Sequence, residues 1–297
     1  MWRNVVGILL TLCTQVVAAS EYLTVQHQSV ERYALVRTPS SWSSAEKLPL
    51  VLVLHGGGGN AEHAERMTGF TALAEREQFI VVYPEGRGRV PHKWLTWNAG
   101  HCCGLAMKQG SADVGFIRQL LAVLKARLPI DADRLYVTGM SNGGMMAHRL
   151  GIELSDQIAA IAPVVATVFG DEPSPHSPVS VLLINGMRDQ SVPFAGGKPG
   201  GRFPDAWDGT PATPAVAQAA FWAKANHCGA TATVQAMPAW QFGHYSCPSG
   251  VELQFYFLAE LGHAWPGGKK GHWRGDDPGN EFDATSVIWA FFQRHTR

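Results

Sequence analysis

The sequence predicts an α/β fold: a mostly parallel central sheet with helices on both faces. Three observations carry that prediction. Short apolar runs that suit buried strands, among them Leu48–Leu54 and residues 179–185, alternate along the chain with runs of helical period. The first of these runs feeds directly into His55-Gly56-Gly57-Gly58-Gly59, a glycine loop at the end of a core strand. Finally, Gly139-Met140-Ser141-Asn142-Gly143 sets a serine between two glycines, after the β-like run 134–138 and before a helical run 142–150. A Gly-x-Ser-x-Gly between strand and helix is the nucleophile elbow of the α/β-hydrolase fold. So sharp a turn forces the serine into a strained backbone conformation and leaves no room for a side chain at the flanking glycines. It presents the Ser141 hydroxyl above the sheet, at the positive end of the following helix.

The other elements follow in order. Residues 22–30 and 32–37 alternate as an opening hairpin, and residues 60–78 read as one helix. Residues 79–83 form a strand stopped by Pro84. Residues 85–110 make a long aromatic loop with two cysteines, and loops this long in compact domains are commonly functional. Asp113 suits the N-cap of a helix over 114–127, with Val114, Ile117, Leu120, Leu121 and Leu124 as its apolar stripe. After the elbow come strands at 158–165 and 179–185, a Pro/Gly-rich segment at 199–214, a helix at 215–226 and a strand at 251–258. A helix at 283–294 closes the chain, turning Val287, Ile288, Phe291 and Phe292 inward. No repeat, heptad or low-complexity tract interrupts this order.

Composition narrows the function. The 297 residues are 46% hydrophobic, enough for one large core. Lys+Arg and Asp+Glu are both 24, so no basic face points to nucleic acid or to a membrane surface. The N-terminus has the pattern of a secretory signal: Arg3, an apolar run over 5–13, then Val17-Ala18-Ala19 with small residues at the −3 and −1 positions. Cleavage is expected after Ala19, leaving 20–297 as a single catalytic domain that is secreted or periplasmic. The apolar run is too short to span a bilayer comfortably, and Leu12 before Cys13 argues against a lipoprotein. No later run of 18 apolar residues suggests a membrane partner. The chain ends about where its last helix ends, so no appended polymer-binding module is expected.

Four cysteines remain after the signal, an even count that suggests disulfides in an exported chain. Cys228 and Cys247 flank a segment between helix and strand and are expected to pair, bracing the strand that leads to His263. Cys102 and Cys103 are then either a vicinal pair or two free thiols. No zinc-like spacing occurs, and no metal is expected.

A serine hydroxyl becomes nucleophilic when a histidine takes its proton, and a carboxylate fixes that histidine's tautomer. In this fold the chain order is Ser, Asp/Glu, His, with the partners in loops after late strands. Asp189, in Asn185-Gly186-Met187-Arg188-Asp189, follows the strand at 179–185; Asp171, in a Pro/Ser loop, is the rival. His263, in Leu261-Gly262-His263-Ala264-Trp265-Pro266-Gly267-Gly268, follows the strand at 251–258 and precedes the last helix; His272 is the nearest competitor. The oxyanion hole needs two backbone N–H groups. Asn142, after the nucleophile, supplies one, and the loop after Leu48–Leu54 the other, with Gly57 preferred and Gly58 next.

With these pieces in place the chain resembles the secreted polyhydroxybutyrate depolymerase-like or feruloyl esterase-like α/β-hydrolases. The resemblance rests on Leu54-His55-Gly56-Gly57-Gly58-Gly59-Asn60, Trp97-Asn98-Ala99-Gly100-His101-Cys102-Cys103-Gly104, Asp113-Val114-Gly115-Phe116, Gly139-Met140-Ser141-Asn142-Gly143-Gly144-Met145 and Gly262-His263-Ala264-Trp265-Pro266-Gly267-Gly268. It implies hydrolysis of a carboxylic ester through an acyl-enzyme, without metal or organic cofactor. By that match Ser141 is the nucleophile, His263 the base and Asp189 the acid, and Cys102-Cys103 lies near the cleft. It also implies an ester substrate: polyhydroxyalkanoate oligomers, feruloyl or acetyl groups on plant polysaccharide, or simple aryl esters. Two departures stand out. Ala112-Asp113 replaces a frequent pair of aspartates, and Asn185-Gly186 replaces a frequent His-Gly. Trp94, Trp97, Trp265 and Trp273 lie in loops expected near the cleft, with Trp97 and Trp265 as substrate-stacking walls. The competing classes are an acyltransferase on the same triad and a non-catalytic binding protein on a hydrolase scaffold.

Overall fold

The computed structural model describes residues 20–43, 45–200, 204–248 and 250–297; the expected signal peptide and Cys13 lie outside the described residues. One sheet of ten strands organises them. In chain order these are β1 (Ser20–His27), β2 (Val30–Arg37), β3 (Leu48–Leu54), β4 (Ile80–Pro84), β5 (Ile130–Met140), β6 (Ala160–Val164), β7 (Ser180–Gly186), β8 (Ala232–Ala236), β9 (Trp240–Tyr245) and β10 (Leu253–Leu258). Across the sheet they run β1-β2-β4-β3-β5-β6-β7-β10-β9-β8. From β4 to β10 every neighbouring pair is parallel, and an antiparallel hairpin flanks each side. With its helices on both faces, this is the α/β-hydrolase fold.

The helices are α1 (Ala61–Thr68), α2 (Phe70–Glu77), α3 (Gly104–Lys108), α4 (Asp113–Arg127), α5 (Asn142–Glu153), α6 (Ala215–Ala225) and α7 (Ala284–Phe292). β3 shows why the sheet needs cover on both sides. All seven of its residues are buried, and successive side chains point to opposite faces. Leu50, Leu52 and Leu54 join Phe116 and Leu120 of α4, Leu150 of α5 and Trp222 of α6. Val51 and Val53 join Phe70 and Leu73 of α2 and Ile288 and Phe292 of α7. A continuous apolar run is therefore what a strand buried on both faces requires.

Four expectations change. The single helix at 60–78 is two, because Gly69 adopts φ 71° and its N–H bonds to the Glu65 carbonyl, closing α1 before Phe70 opens α2. Glycine takes that left-handed cap at little steric cost. The apolar period runs through the break because Met67, Phe70 and Leu73 still share one cluster. Pro84 ends β4 from within rather than stopping it from outside. Asp113 is not the N-cap but the first residue of α4. Its buried carboxylate accepts from Arg32 Nη2 at 2.7 Å, Ser111 Oγ at 2.9 Å and the Asn98 N–H at 2.7 Å. The Arg32 guanidinium also stacks over Phe116 at 4.1 Å. Finally, residues between Cys228 and Cys247 form the β8–β9 hairpin, which widens the sheet beyond β10.

The cysteines pair as Cys102 with Cys103 and Cys228 with Cys247. The second pair ties the end of α6 to the end of β9, alongside a Gly229 N–H bond to the Ser246 carbonyl at 2.7 Å. β9 in turn pairs with β10. The closed loop spans a sequence separation of 19. Replacing both Cys228 and Cys247 with serine is expected to lower unfolding free energy by about 3 kcal/mol on the chain-entropy account. Urea denaturation monitored by tryptophan fluorescence measures it; an unchanged midpoint would show that the bridge does not restrain the unfolded chain.

Candidate active site

Ser141 lies between β5 and α5 with φ 57° and ψ −125°. A non-glycine residue in that region is strained and must be held by its surroundings. The turn is held on two sides. The Ser141 N–H bonds to the Val164 carbonyl of β6 at 2.9 Å. Gly143 packs so close to the end of β3 that a Cβ there would run into the Leu54 and His55 carbonyl oxygens, and a Cβ on Gly139 would strike the backbone of Gly143. The Ser141 carbonyl accepts from the Met145 N–H at 2.8 Å, so α5 begins at once.

Asp189 and His263 meet at the carboxyl ends of β7 and β10, with His263 Nδ1 2.7 Å from Asp189 Oδ2. The carboxylate only accepts, so Nδ1 carries the proton and Nε2 is left as the basic nitrogen. Asp189 Oδ1 is engaged separately by the N–H groups of Ser191 and Val192, both at 2.8 Å, which fixes the carboxylate's orientation. The two loops are laced together: Met187 N–H bonds to the Leu258 carbonyl and Arg188 N–H to the Leu261 carbonyl. Gly186 lies too close to Leu261 and Gly262 to carry a Cβ. Asp276 is a positioning residue that the sequence did not disclose. Its Oδ2 accepts the His263 N–H at 2.6 Å and rests where a Cβ on Gly262 would be. In sequence, Asp276 is only one acid in an ordinary polar turn.

The rival residues have other roles. Asp171 bonds to His101, and His272 Nδ1 accepts the Arg274 N–H within its own loop.

In the glycine loop, the Gly58 N–H is taken by the Leu95 carbonyl at 2.8 Å and the Gly59 N–H by Gly56 at 3.0 Å. A Cβ on Gly57 would lie 3.8 Å from Asn142 Cβ. Gly57 therefore faces Asn142, the residue after Ser141, and, unlike Gly58, has its amide outside that Leu95 bond. Buried His55 holds the loop: its Nδ1 donates to the Gly56 carbonyl at 2.8 Å and its Nε2 accepts the Gly86 N–H at 3.0 Å. Burial pushes the imidazole down to about 4, so it remains neutral. The Asn142 side chain accepts the Trp97 N–H at 2.7 Å and donates to the Trp97 carbonyl at 3.0 Å. It also approaches Cys102 Sγ at 3.9 Å, which sets the vicinal cysteines beside the elbow.

The tryptophans divide differently from the expectation. Trp97 and Trp265 are 0% and 1% exposed and offer no face to a substrate. The Trp97 indole donates to the His55 carbonyl at 3.0 Å, bracing the glycine loop from beneath. The Trp265 indole donates to Thr285 Oγ1 at 3.0 Å, which donates onward to the Thr68 carbonyl at 2.6 Å. A buried acceptor for the indole N–H makes such complete burial stable. Trp94 and Trp273 are instead 77% and 73% exposed.

His101 joins three loops. Its Nε2 is 2.9 Å from Asp171 Oδ2 and its Nδ1 2.7 Å from Asp208 Oδ2. Two carboxylates on the two ring nitrogens ask both to donate, and hydrogen bonding to Asp171, then Asp208, raises the imidazole's pKa.

The chain matches the family model described as esterase PHB depolymerase over residues 31–197, and it belongs to that family. Carboxylic ester hydrolysis is the activity this membership supports. It is 32% identical over 253 residues to NocK of Nocardia uniformis subsp. tsuyamanensis, provisionally named an esterase, covering 80% of this chain and 71% of that protein. It is 29% identical over 249 residues to feruloyl esterase B of Piromyces equi, covering 81% of this chain but 44% of the relative. An acetyl xylan esterase from Aspergillus awamori shares the fold, with a TM-score of 0.58 at 14% identity, across 82% of this chain and 94% of that one.

The His101 clamp predicts a pH dependence with a definite sign. A raised folded-state pKa means that its stabilisation is fully present below the unfolded value of ~6.5 and is lost as pH rises through the folded value. The Tm difference between the wild type and His101→Gln is expected to be largest in mild acid and to close in alkali. A difference that grows with pH would rule the clamp out.

Proposed function

We propose that this protein is a serine esterase that hydrolyses carboxylic esters through an acyl-enzyme on Ser141. Its leader, residues 1–19, is removed on export, and residues 20–297 form one catalytic domain. The observation that carries the reading is the 2.7 Å Asp189–His263 hydrogen bond, made on the same sheet edge that presents Ser141 in a strained elbow. His263 Nε2 takes the proton as Ser141 Oγ attacks the ester carbonyl. The N–H groups of Asn142 and Gly57 receive the developing oxyanion. His263 returns the proton to the departing alcohol, and water repeats the sequence on the acyl-enzyme. Asp276 keeps the base loop in place meanwhile. The two cysteine pairs support an oxidising, extracytoplasmic setting.

The names of the relatives support a substrate of feruloyl or acetyl esters on plant polysaccharide, or hydroxyalkanoate oligomers. Product analysis with an added alcohol acceptor separates hydrolysis from acyl transfer on the same triad.

Ser141→Ala is expected to abolish hydrolysis of p-nitrophenyl acetate with an unchanged circular dichroism spectrum; loss of a triad serine costs roughly 10⁶-fold in kcat in a well-studied protease. His263→Ala should be nearly as severe and Asp189→Asn milder. Retention of substantial rate by Ser141→Ala would refute the mechanism. EDTA is expected to leave the rate unchanged, and inhibition rescued by zinc or calcium would contradict a metal-free reaction.

A further inference from the structure

We infer that the cavity beside the glycine loop, lined by Tyr22, Thr24, Tyr33, Asn60, Glu62 and His92, is a subsite for the neutral glycan portion of an esterified carbohydrate. The inference rests on the esterase reading and narrows its substrate class.

Position is the first argument. The cavity encloses about 360 Å³. Asn60 directly follows Gly59, and the three residues from Gly57 to Asn60 reach at most ~10 Å. Asn60 Nδ2 donates to the His92 carbonyl at 2.9 Å. The loop carrying His92 is bound to the glycine loop by the Gly59–Leu95 bridge and the Gly58 N–H bond to the Leu95 carbonyl. Cavity and oxyanion donors are thus two parts of one fastened pair of loops. A ligand in the cavity has a fixed relation to the ester being cleaved.

Lining chemistry is the second. Tyr22 and Tyr33 pack around the His92 ring, with centroids 5.4 and 4.6 Å away. Aromatic faces suit the C–H faces of a sugar ring, while the Thr24 hydroxyl and Glu62 carboxylate suit its hydroxyls. The Tyr33 phenol already donates to Glu31 Oε2 at 2.8 Å and Asn60 Oδ1 already accepts the His63 N–H at 2.9 Å, which leaves their remaining lone pairs and the second amide hydrogen for a ligand. None of the six is aliphatic, which disfavours a polyester chain or a fatty acyl group. Glu62 lines the cavity and Glu85 Oε2 lies 2.7 Å behind His92 Nδ1, which disfavours an anionic ligand. Partial burial, with Glu85 and Glu62 nearby, pushes the Tyr22 phenol's pKa up.

Backbone strain is the third. His92 and Trp94 adopt φ 61° and 50° within one loop. Non-glycine residues are held in that region at a cost, and such outliers gather at ligand clamps. Here the strain places His92 in the cavity wall and leaves the Trp94 indole exposed two residues on. Trp94 is not one of the six lining residues; its exposed indole, on the loop that carries His92, is the group through which the proposed stacking surface would extend outside the cavity.

The test uses Tyr33→Ala and Trp94→Ala, separately, in the full chain. Trp94 is exposed, so its variant keeps the test alive if Tyr33→Ala folds poorly. In a Ser141→Ala background, xylohexaose and cellohexaose are titrated calorimetrically beside a hydroxybutyrate tetramer. In the active background, kcat and KM are measured on acetylated xylo-oligosaccharides and on p-nitrophenyl acetate. We expect at least one hexasaccharide to bind, each variant to weaken it about tenfold, and KM on the oligosaccharide ester to rise by about as much. Kinetics on p-nitrophenyl acetate should not change. Failure of both sugars to bind, equal changes on both esters, or loss of tetramer binding in place of sugar binding would each overturn the subsite. Sugar binding that depends on these residues, in a wild-type chain that leaves p-nitrophenyl acetate intact, would keep the subsite and sink the esterase reading.

Discussion

The contact on which this molecule depends is backbone against backbone: the turn after β5 pressed onto the end of β3. Leu54 and His55 lend their carbonyl edges, and Gly139 and Gly143 leave the room. With no side chain between them, the Ser141 turn and the glycine loop become neighbours by packing alone. The rest of the site is built outward from this seam. His55 and Trp97 stiffen the glycine side, Asn142 ties the serine side to the Trp97 loop, and α5 starts at the serine without a linking turn. A larger residue at either glycine would separate two strands that must also pair in register, Leu54 with Gly139. The shape of the Ser141 turn and the sheet pairing are therefore constrained together.

What could be read from the sequence was what is local. A strand buried on both faces announces itself as an apolar run, as β3 does over its whole length and β7 does from Val181 to Ile184. The turn at Ser141 is a pattern of five residues, and the loops that bring Asp189 and His263 together follow late strands, where chain order puts them. The features that escaped depend on partners far away. Whether Trp97 lines a cleft or a core is decided by a carbonyl 42 positions earlier, and for Trp265 by a hydroxyl 20 positions later. His101 gives no sign of joining three loops, because its carboxylates are 70 and 107 residues downstream. The β8–β9 hairpin was missed for a different reason. It lies at the sheet's margin, and β8 is mostly exposed, so it lacks the apolar alternation by which strands are recognised.

Buried polar groups bear more of the architecture around the site than the hydrophobic pattern suggests. His55, Asn142, Thr285 and Asp189 are all buried and all hydrogen-bonded to backbone or to another side chain. Apolar packing supplies the two layers, but it has no direction. The loops obtain their direction from these bonds, each of which costs stability if one partner is removed and the other is left buried. This is why the segment at 85–110, long and mostly irregular, is nonetheless fixed: α3, the bridge to Gly59 and the bonds from Asn142 and Asp113 hold it at several points.

The Arg32–Asp113 pair sets a rule for how sequences can drift from this one. It joins β2 to α4 across 81 residues, both side chains lie out of water, and Asp113 also anchors the loop through Asn98. Removing one member strands the other's charge in the interior, at a cost of about 3–5 kcal/mol, whereas exchanging both for well-packed apolar residues is often neutral. Two distant positions are thereby bound into a single unit of inheritance. The stretch with one aspartate at Ala112-Asp113 has no neighbouring acid to take over if that carboxylate is lost, and the Asn98 N–H and Ser111 hydroxyl lose their acceptor with it.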